Sequence, residues 1–506
     1  MTYPKLTKRF YSLVAVMAMV SIMSACKRDI GQLTDNGLVI SSFSILAKDN
    51  PGILTDNLSF SVGSDKITGR TAILTSIDSL VPIFTTNADS VTANGKLVKS
   101  GQTPVDFTKP VQCILYGQDG STTQYDVHLT NFTGLPVISI QTKGGQPITS
   151  KEAYLEASIT INSNGEYPAI EDHVKIKGHG NSTWIEPKKP YKFKFDKKHS
   201  LLGMGSGKPW ILLANFMDTT AIRNELSMTL GRMSDLDWTP NMRFAELYLN
   251  GNYQGTYQLA EQIKINKERV NISDDGYLLE VDSPSRLDAD DVFFETDRMN
   301  VVIKDPDIDP GSERYNYIKD YINNVENVLY SENFTDPDEG YAKYLDVDSF
   351  VDWYLINEIA KNNDAVFFSS CYMNIAPGGK LKMGPVWDFD LAFGNYPVND
   401  NTNPKGLWVK TSIWISRLFE DPVFVEKVKS RFKYFEAQQD AIIDGIELNA
   451  KNLRWSVFEN NKVWGGLSKD YTSTDAVQTA YNNQISQLED WLNIRMDWLK
   501  DTYEQM

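Results

Sequence analysis

Between Val39 and about Phe132, apolar and polar residues alternate in short runs. They are Val39-Ile-Ser-Ser-Phe43, Leu58-Ser-Phe-Ser-Val62, Lys66-Ile-Thr68, Val111-Gln-Cys-Ile-Leu115 and Thr123-Gln-Tyr-Asp-Val-His-Leu129, separated by Gly, Asn, Asp and Pro. A period of two puts one face of each strand in a core, and strands at this spacing predict an all-β, immunoglobulin-like sandwich over residues 38–133. Nothing in this stretch suggests catalysis. It reads as a spacer or a binding module.

From Leu135 the pattern changes. Val137-Ile-Ser-Ile140, Ile159-Thr-Ile161 and Val174-Lys-Ile-Lys177 read as strands, and a glycine-punctuated turn, Gly178-His-Gly-Asn-Ser-Thr-Trp184, leads into Pro190-Tyr-Lys-Phe-Lys-Phe195. Alternation there puts Tyr191, Phe193 and Phe195 on one face and Lys192 and Lys194 on the other. Asp218 or Thr219 can cap a helix carrying Ile222, Leu226 and Leu230 on one side. Asn250-Gly251 between two alternating runs predicts a tight hairpin. Residues 282–313, rich in Asp, Pro and Ser, read as a solvated acidic loop, since they lack the Gly and the bidentate Glu of a calcium-binding EF-hand. In 346–360, Phe350, Val351, Tyr354, Leu355 and Ile359 recur at helical spacing behind a possible cap at Asp346 or Asp348. Then come an acidic loop (Asn362-Asn363-Asp364), a short hairpin (Cys371 to Ile375, Pro377-Gly378-Gly379, Lys380 to Met383) and a second acidic loop (Trp387-Asp388-Phe389-Asp390). A hairpin can bring its flanking loops together, so both sets of carboxylates can face one cation. Residues 411–506 read as helices, with Leu488, Trp491, Leu492, Trp498 and Leu499 as a core stripe.

The length suggests several domains at ~150 residues each. Apolar content of 41% is that of a globular protein, and 66 acidic against 50 basic side chains disfavour nucleic acid as a general partner. At the N-terminus, Lys5, Lys8 and Arg9 precede the apolar run Phe10–Ile22, and Met23-Ser24-Ala25 stands before Cys26. This resembles a bacterial lipoprotein signal over residues 1–26, which implies lipidation at Cys26, a tether over 27–37, and an exported protein of the cell envelope, at the outer membrane or cell surface. Cys113 and Cys371 fall in different predicted domains and make no disulfide framework. Four histidines without a metal-binding spacing give no support to a zinc site.

A glycine turn with exposed backbone N–H groups, followed by lysines, can cradle phosphate. Two acidic loops can hold a divalent cation against it. Strands with such a turn, a helix, a hairpin and a helical half with two acidic loops have the layout of a two-lobed phosphotransferase. From about Leu135 to Gly394 the chain resembles the CotH family of atypical protein kinases. The matching stretches are Gly178 to Trp184, Lys188 to Phe195, Asp218 to Asn224, Leu247 to Tyr257 with Glu261-Gln262, Asn363-Asp364, and Trp387 to Asp390.

The resemblance implies an α+β kinase-like domain over 134–506, with an N-lobe at about 134–281 and a C-lobe at about 314–506. It also implies transfer of phosphate from ATP to Ser or Thr of a protein acceptor. Asp364 then takes the role of the catalytic-loop acid and Asp388 that of the metal-binding acid, with Mg²⁺ or Mn²⁺ as the cation. Gly180, Asn181 and Ser182 belong to the nucleotide-binding turn, the phosphate-contacting lysine maps onto Lys189, Lys192 or Lys194, and Glu261 falls near the adenine pocket. Three positions depart from kinases or from relatives. Ser369 stands where kinases carry the Asn that binds a second cation, which makes it a weaker metal ligand. Asp390 replaces the Gly of Asp-Phe-Gly and adds a carboxylate near the metal, and His179 occupies a position where relatives commonly carry Arg. Two other readings stay open: a surface-anchored protein that binds glycan or protein through an inactive kinase-like domain, and a metal-dependent hydrolase using the same acids.

Overall fold

The computed structural model describes residues 37–54, 56–71, 75–163, 165–470 and 473–506. The signal sequence, Cys26 and all of the tether but its last residue lie outside them. The chain forms two compact units, Met1–Phe132 and Thr133–Met506. Among the described residues no helix is long and apolar enough to cross a membrane.

The first unit is all β. Eight strands hydrogen-bond in the order Pro82–Thr86, Ile40–Ile45, Leu58–Val62, Lys66–Thr71, Thr122–Asn131, Val111–Tyr116, Ser90–Ala93 and Lys96–Val98. The five alternating runs are all strands. The other three lie at Pro82–Thr86, Ser90–Ala93 and Lys96–Val98. The core forms around Phe43, which packs edge-on against Phe60 at 4.9 Å and lies parallel to Phe84 at 6.1 Å between ring centres.

In the second unit, seven strands close into a barrel. Their order is Leu155–Asn162, Ile170–Gly178, Tyr191–His199, Gly207–Leu213, Asn252–Glu261, Met242–Leu249 and Val137–Thr142, which returns to the first. The alternation in Tyr191–His199 is realised: Tyr191, Phe193 and Phe195 fill the barrel interior beside Trp210, while Lys192 and Lys194 face outward. Outside, Lys192 lies opposite Lys177 and Lys194 opposite Lys175. The Asn250-Gly251 turn joins Met242–Leu249 to Asn252–Glu261, with φ of 51° and 77° at the two corner residues. An added Cβ at Gly251 meets nothing within 4 Å, so Gly251→Ala tests backbone conformation alone. It is expected to destabilise the unit by about 1 kcal/mol in urea unfolding with the slope m unchanged.

A five-stranded sheet follows, in the order Phe293–Glu295, Asn300–Asp305, Tyr277–Val281, Cys371–Ile375 and Lys382–Met383. Residues 282–313 therefore do not form a solvated loop throughout. The run Val301-Val302-Ile303 is buried and pairs with Tyr277–Val281, because an apolar triplet gains more from joining a sheet than from staying in water. Four helices, Ile413–Leu418, Pro422–Ala437, Gln439–Trp464 and Thr474–Glu504, complete the unit around the long buried helix Val347–Ala360. Of the stripe on the last helix, Leu488, Trp491, Leu492 and Leu499 are buried in the core and Trp498 packs against it.

Candidate functional site

A cavity of about 1010 Å³ opens within the second unit, large enough for a nucleotide-sized ligand. One wall comes from the barrel and carries basic residues. The rest of the lining comes from the two acidic loops and from the sheet that joins them with its connections, which also bring Lys304 and Arg286.

The basic wall starts at the glycine turn. Gly180 has φ +80°, and a Cβ there would collide with the Thr183 hydroxyl, so the turn is built for glycine. It leads into the single helical turn Ser182–Ile185. Asn181 ties it down by donating to the Arg286 carbonyl at 3.3 Å and accepting from Lys151 at 2.9 Å. Gly180, Asn181 and Ser182 all line the cavity. Of the three lysines that were candidates, only Lys192 does so. Lys189 donates to the carbonyls of Trp184 and Ile185, and the exposed Lys194 lies over the Tyr154 ring at 4.4 Å. Lys188 also reaches the cavity, but its ammonium is held by the Thr256 carbonyl and by Asn460 at 2.9 Å, and burial lowers its pKa to about 7.

Burial and the neighbouring charges of Lys177 and Lys304 bring Lys192 down to about 8. Neither Lys192 nor Lys177 has a carboxylate within ion-pair distance among the described residues. Two cations side by side without an acid between them form a site that lacks an anion. His179 lies among these lysines, and burial followed by their charges pushes it to about 3, so it is neutral at pH 7 and adds no cation to the wall.

The acidic wall is set by the helix Val347–Ala360, whose N-terminus is capped by Asp346 accepting from Ser349 N at 3.1 Å. The helix ends at Lys361, in the left-handed conformation with φ 46°, and its ammonium gathers the carbonyls of Asp400, Asn403 and Lys405 at 2.8–2.9 Å. The chain then turns sharply into Asn362-Asn363-Asp364. Asn362 donates to the Asp388 carbonyl at 3.2 Å, which joins the two acidic loops directly, and Asn224 accepts from Phe389 N at 2.9 Å. The segment Asp218 to Asn224 thus braces the second loop: Asp218 pairs with Arg223 at 2.5 Å and accepts from Arg223 N, acting as a cap from just outside the helix Arg223–Met233. Asp388 has φ 67°, and Phe367 and Ser370 lie at 61° and 57°. Three non-glycine residues in that region within one loop cluster mark strain at a functional site.

Asp364, Asp388 and Asp390 all line the cavity and are half-buried. Burial raises all three: Asp388, with the charges of Asp390 and Asp364 added, lies well above the usual carboxylate range, Asp390, with the charges of Asp218 and Asp364 added, goes to about 6, and Asp364 is raised by burial alone while Asn363 and Arg286 hold it down. The charges of neighbouring carboxylates raise both Asp388 and Asp390, a cost that a cation among them would offset. Ser369 donates to Asp282 at 2.7 Å, and Ser370 to Asp388 at 3.4 Å. Glu261 is not among the lining residues. It is fully buried and accepts from Asn241 N and Nδ2 at 2.8 and 3.0 Å, while Gln262 and Ile263 line the cavity instead.

Several lining residues were not singled out from the sequence. Lys304 bridges Glu280 at 3.2 Å and Asp291 at 3.4 Å, and these partners raise its pKa despite its burial. Asp282 and Arg286 lie beside them. Their signal was the buried Val301-Val302-Ile303 triplet, which makes the acidic segment part of a sheet. The cavity is thus lined by both signs of charge: Lys177 and Lys192 from the barrel, Asp364, Asp388 and Asp390 from the loops, and Lys304 and Arg286 among the acids of the segment between.

The model of the CotH kinase protein family matches residues 175–499, well over half of the chain. The chain belongs to the CotH kinase family. The match takes in every acidic and basic residue of the cavity described above except Lys151. No curated protein matches the chain. Among solved structures, one described as "a putative glycoside hydrolase" from Bacteroides thetaiotaomicron shares 14% identity over 55% of this chain and 86% of its own, at a TM-score of 0.16. At that score the likeness carries no argument about fold or activity. For a CotH-family protein the relevant geometry is therefore the cavity itself.

Proposed function

We propose that the protein is a phosphotransferase of the protein-kinase type, moving the γ-phosphate of ATP to a Ser or Thr hydroxyl of a protein acceptor. The observation that carries this reading is a cavity of mixed charge, lined by Lys177 and Lys192, which have no carboxylate within ion-pair distance among the described residues, and by the clustered acids Asp364, Asp388 and Asp390. Such a site repels a simple anion from one wall and a simple cation from the other, but suits a polyphosphate carrying a divalent metal. On this reading the barrel side is the N-lobe and the helical side the C-lobe. Asp388 and Asp390 hold Mg²⁺ or Mn²⁺, which supplies charge neutralisation on the phosphates when bound.

Lys192 and Lys177 draw the phosphate chain to the barrel wall, and the Gly180-Asn181-Ser182 turn offers backbone N–H groups. Asp364, raised by burial, accepts the proton of the acceptor hydroxyl as its oxygen bonds to the γ-phosphorus and the bond to the ADP oxygen breaks. The first unit serves as an immunoglobulin-like spacer, and lipidation at Cys26 anchors the protein to the envelope, where nucleotide must come from outside the cytoplasm.

The test is transfer of label from ATP to casein-like acceptors by the full chain with Mg²⁺ or Mn²⁺, alongside Asp364→Ala. Wild type is expected to label the acceptor and Asp364→Ala to fall by about 10²–10⁴-fold. Equal, background labelling by both folded proteins would sink the kinase reading. Thermal stabilisation by ATP without transfer would instead favour a binding protein, since a ligand at ~100 times its Kd adds about 2.7 kcal/mol.

A further inference from the structure

Among the described residues one side chain hydrogen-bonds to the Asp364 carboxylate. Asn363 donates Nδ2 to Oδ1 of Asp364 at 3.0 Å, and no described residue donates to Oδ2. An amide has a donor end and an acceptor end. Turned over in place, Asn363 would set its own oxygen against the carboxylate oxygen, and attraction would become repulsion. Something must therefore fix which end of this half-buried amide meets Asp364.

That group is Asn399, whose Nδ2 donates to Oδ1 of Asn363 at 3.0 Å. A donor on that side holds the amide oxygen of Asn363 there and sends its nitrogen to Asp364. Asn399 belongs to the segment that follows Asp390, and this segment grips the turn before Asp364 at two further points. Asn401 donates to the Lys361 carbonyl at 2.8 Å, and the Trp408 indole donates to the Asn363 carbonyl at 3.1 Å. The segment is itself held in place. Lys361 binds the carbonyls of Asp400 and Asn403, the Trp491 indole that of Thr402 at 2.9 Å, and Arg495 that of Pro404 at 2.9 Å. Asn399 and Asp400 are both left-handed, with φ 53° and 58°, a conformation that asparagine and aspartate adopt more readily than other side chains.

We propose that Asn399 and Asn363 form a two-amide relay that orients the Asp364 carboxylate, with Asn363 as a positioning residue and Asn399 as the group that sets its amide. Oδ1 of Asp364 is engaged by Asn363, which leaves Oδ2 for the acceptor hydroxyl. The relay rests on the kinase reading, in which Asp364 takes the proton of that hydroxyl. The bond from Asn363 to the carboxylate is charge-assisted, whereas the bond from Asn399 to Asn363 joins two neutral amides, so the first carries the larger effect.

The experiment compares transfer from ATP to a casein-like acceptor by the full chain, wild type against Asn363→Ala, Asn399→Ala and Asn399→Asp, with kcat and the KM for ATP measured separately. Asn363→Ala is expected to lower kcat by about 10²-fold through misplacement of Asp364, with KM for ATP unchanged. Asn399→Ala frees the Asn363 amide to take either orientation and lowers kcat by a smaller factor. Asn399→Asp keeps the size of the side chain but can only accept, so it draws the Asn363 nitrogen to itself and turns the oxygen toward Asp364. Its kcat should fall below that of Asn399→Ala, at high salt as well as low, since screening does not turn an amide back. A merely structural role predicts the opposite order, with the isosteric variant the milder. A folded Asn399→Asp that transfers as fast as Asn399→Ala overturns the relay, as does a difference between them that vanishes at high salt. Asn399 is exposed, so its two variants carry the test even where Asn363→Ala fails to fold. Wild type without transfer would overturn the kinase reading and the relay with it, whereas active wild type with both Asn399 variants equally active overturns the relay alone.

Discussion

Asp388→Asn is expected to cut phosphate transfer by about 10²–10³-fold or more and, at the same time, to make the protein more stable. The first effect follows from its place: Asp388 is the carboxylate at which the two acidic loops meet, with Asn362 on its carbonyl and Ser370 on its side chain. The second follows from its surroundings. Burial and the charges of Asp390 and Asp364 hold its pKa well above the usual range, so ionising it at neutral pH costs the fold stability.

The sign is clear from linkage. For carboxylates with raised folded-state pKa the native state binds more protons than the unfolded one, so stability falls as pH climbs from the ordinary value of 3.8 through the raised one, about 6 for Asp390. Removing one charge should relieve part of that slope. A gain of about 1–2 kcal/mol at pH 7 is expected in urea unfolding, shrinking toward pH 4. Transfer at the wild-type rate would remove Asp388 from the machinery. A loss of stability at pH 7 would show that some partner compensates its charge.

The acidic half of this site was readable from the chain because its determinants are local. A capped helix, two acidic loops and a Pro-Gly-Gly hairpin lie within fifty residues, and a hairpin brings its flanks together by construction. The barrel strand was readable too, because Tyr191, Phe193 and Phe195 alternate with Lys192 and Lys194. What could not be read was the choice among lysines. Lys189, Lys192 and Lys194 differ only in which neighbour the fold presents, and it gives Lys189 two carbonyls and leaves Lys192 open to the cavity. Glu261 is a similar case: its strand ends at the cavity, but the pleat turns its side chain toward Asn241 and its successors into the site. Lys304 and Asp282 were hidden for another reason. Their segment is dense in Asp and Pro, which signals a loop, and only pairing with a strand more than twenty residues upstream makes it part of a sheet.

The largest stability effect is expected far from the chemistry. Arg495, on the last helix, and Glu358, near the end of the helix before Asp364, are both fully buried and pair at 2.7 Å. The pair is fully satisfied: Arg495 also donates to the carbonyls of Glu358, Pro404 and Gly406, while Glu358 accepts from Trp408 N and Lys410 N at 2.8 and 2.9 Å. A buried pair adds little over a well-packed apolar pair, but breaking it strands one charge. Arg495→Met should therefore cost about 3–5 kcal/mol, read as a lower urea midpoint, by leaving Glu358 without its cation and the carbonyls of Pro404 and Gly406 without donors.

Replacing both, Glu358→Leu with Arg495→Met, should recover part of the loss in stability, because no charge is then left uncompensated. It should not recover activity. Without Glu358 the backbone N–H groups of Trp408 and Lys410 lose their acceptor, and the indole N–H of Trp408 is what holds the Asn363 carbonyl, at 3.1 Å, next to Asp364. A double variant that is stable but slow in transfer would separate the two tasks of this node, holding the last helix to the core and fixing the acidic loop. A single variant costing under about 1 kcal/mol would mean that neither task depends on the ion pair.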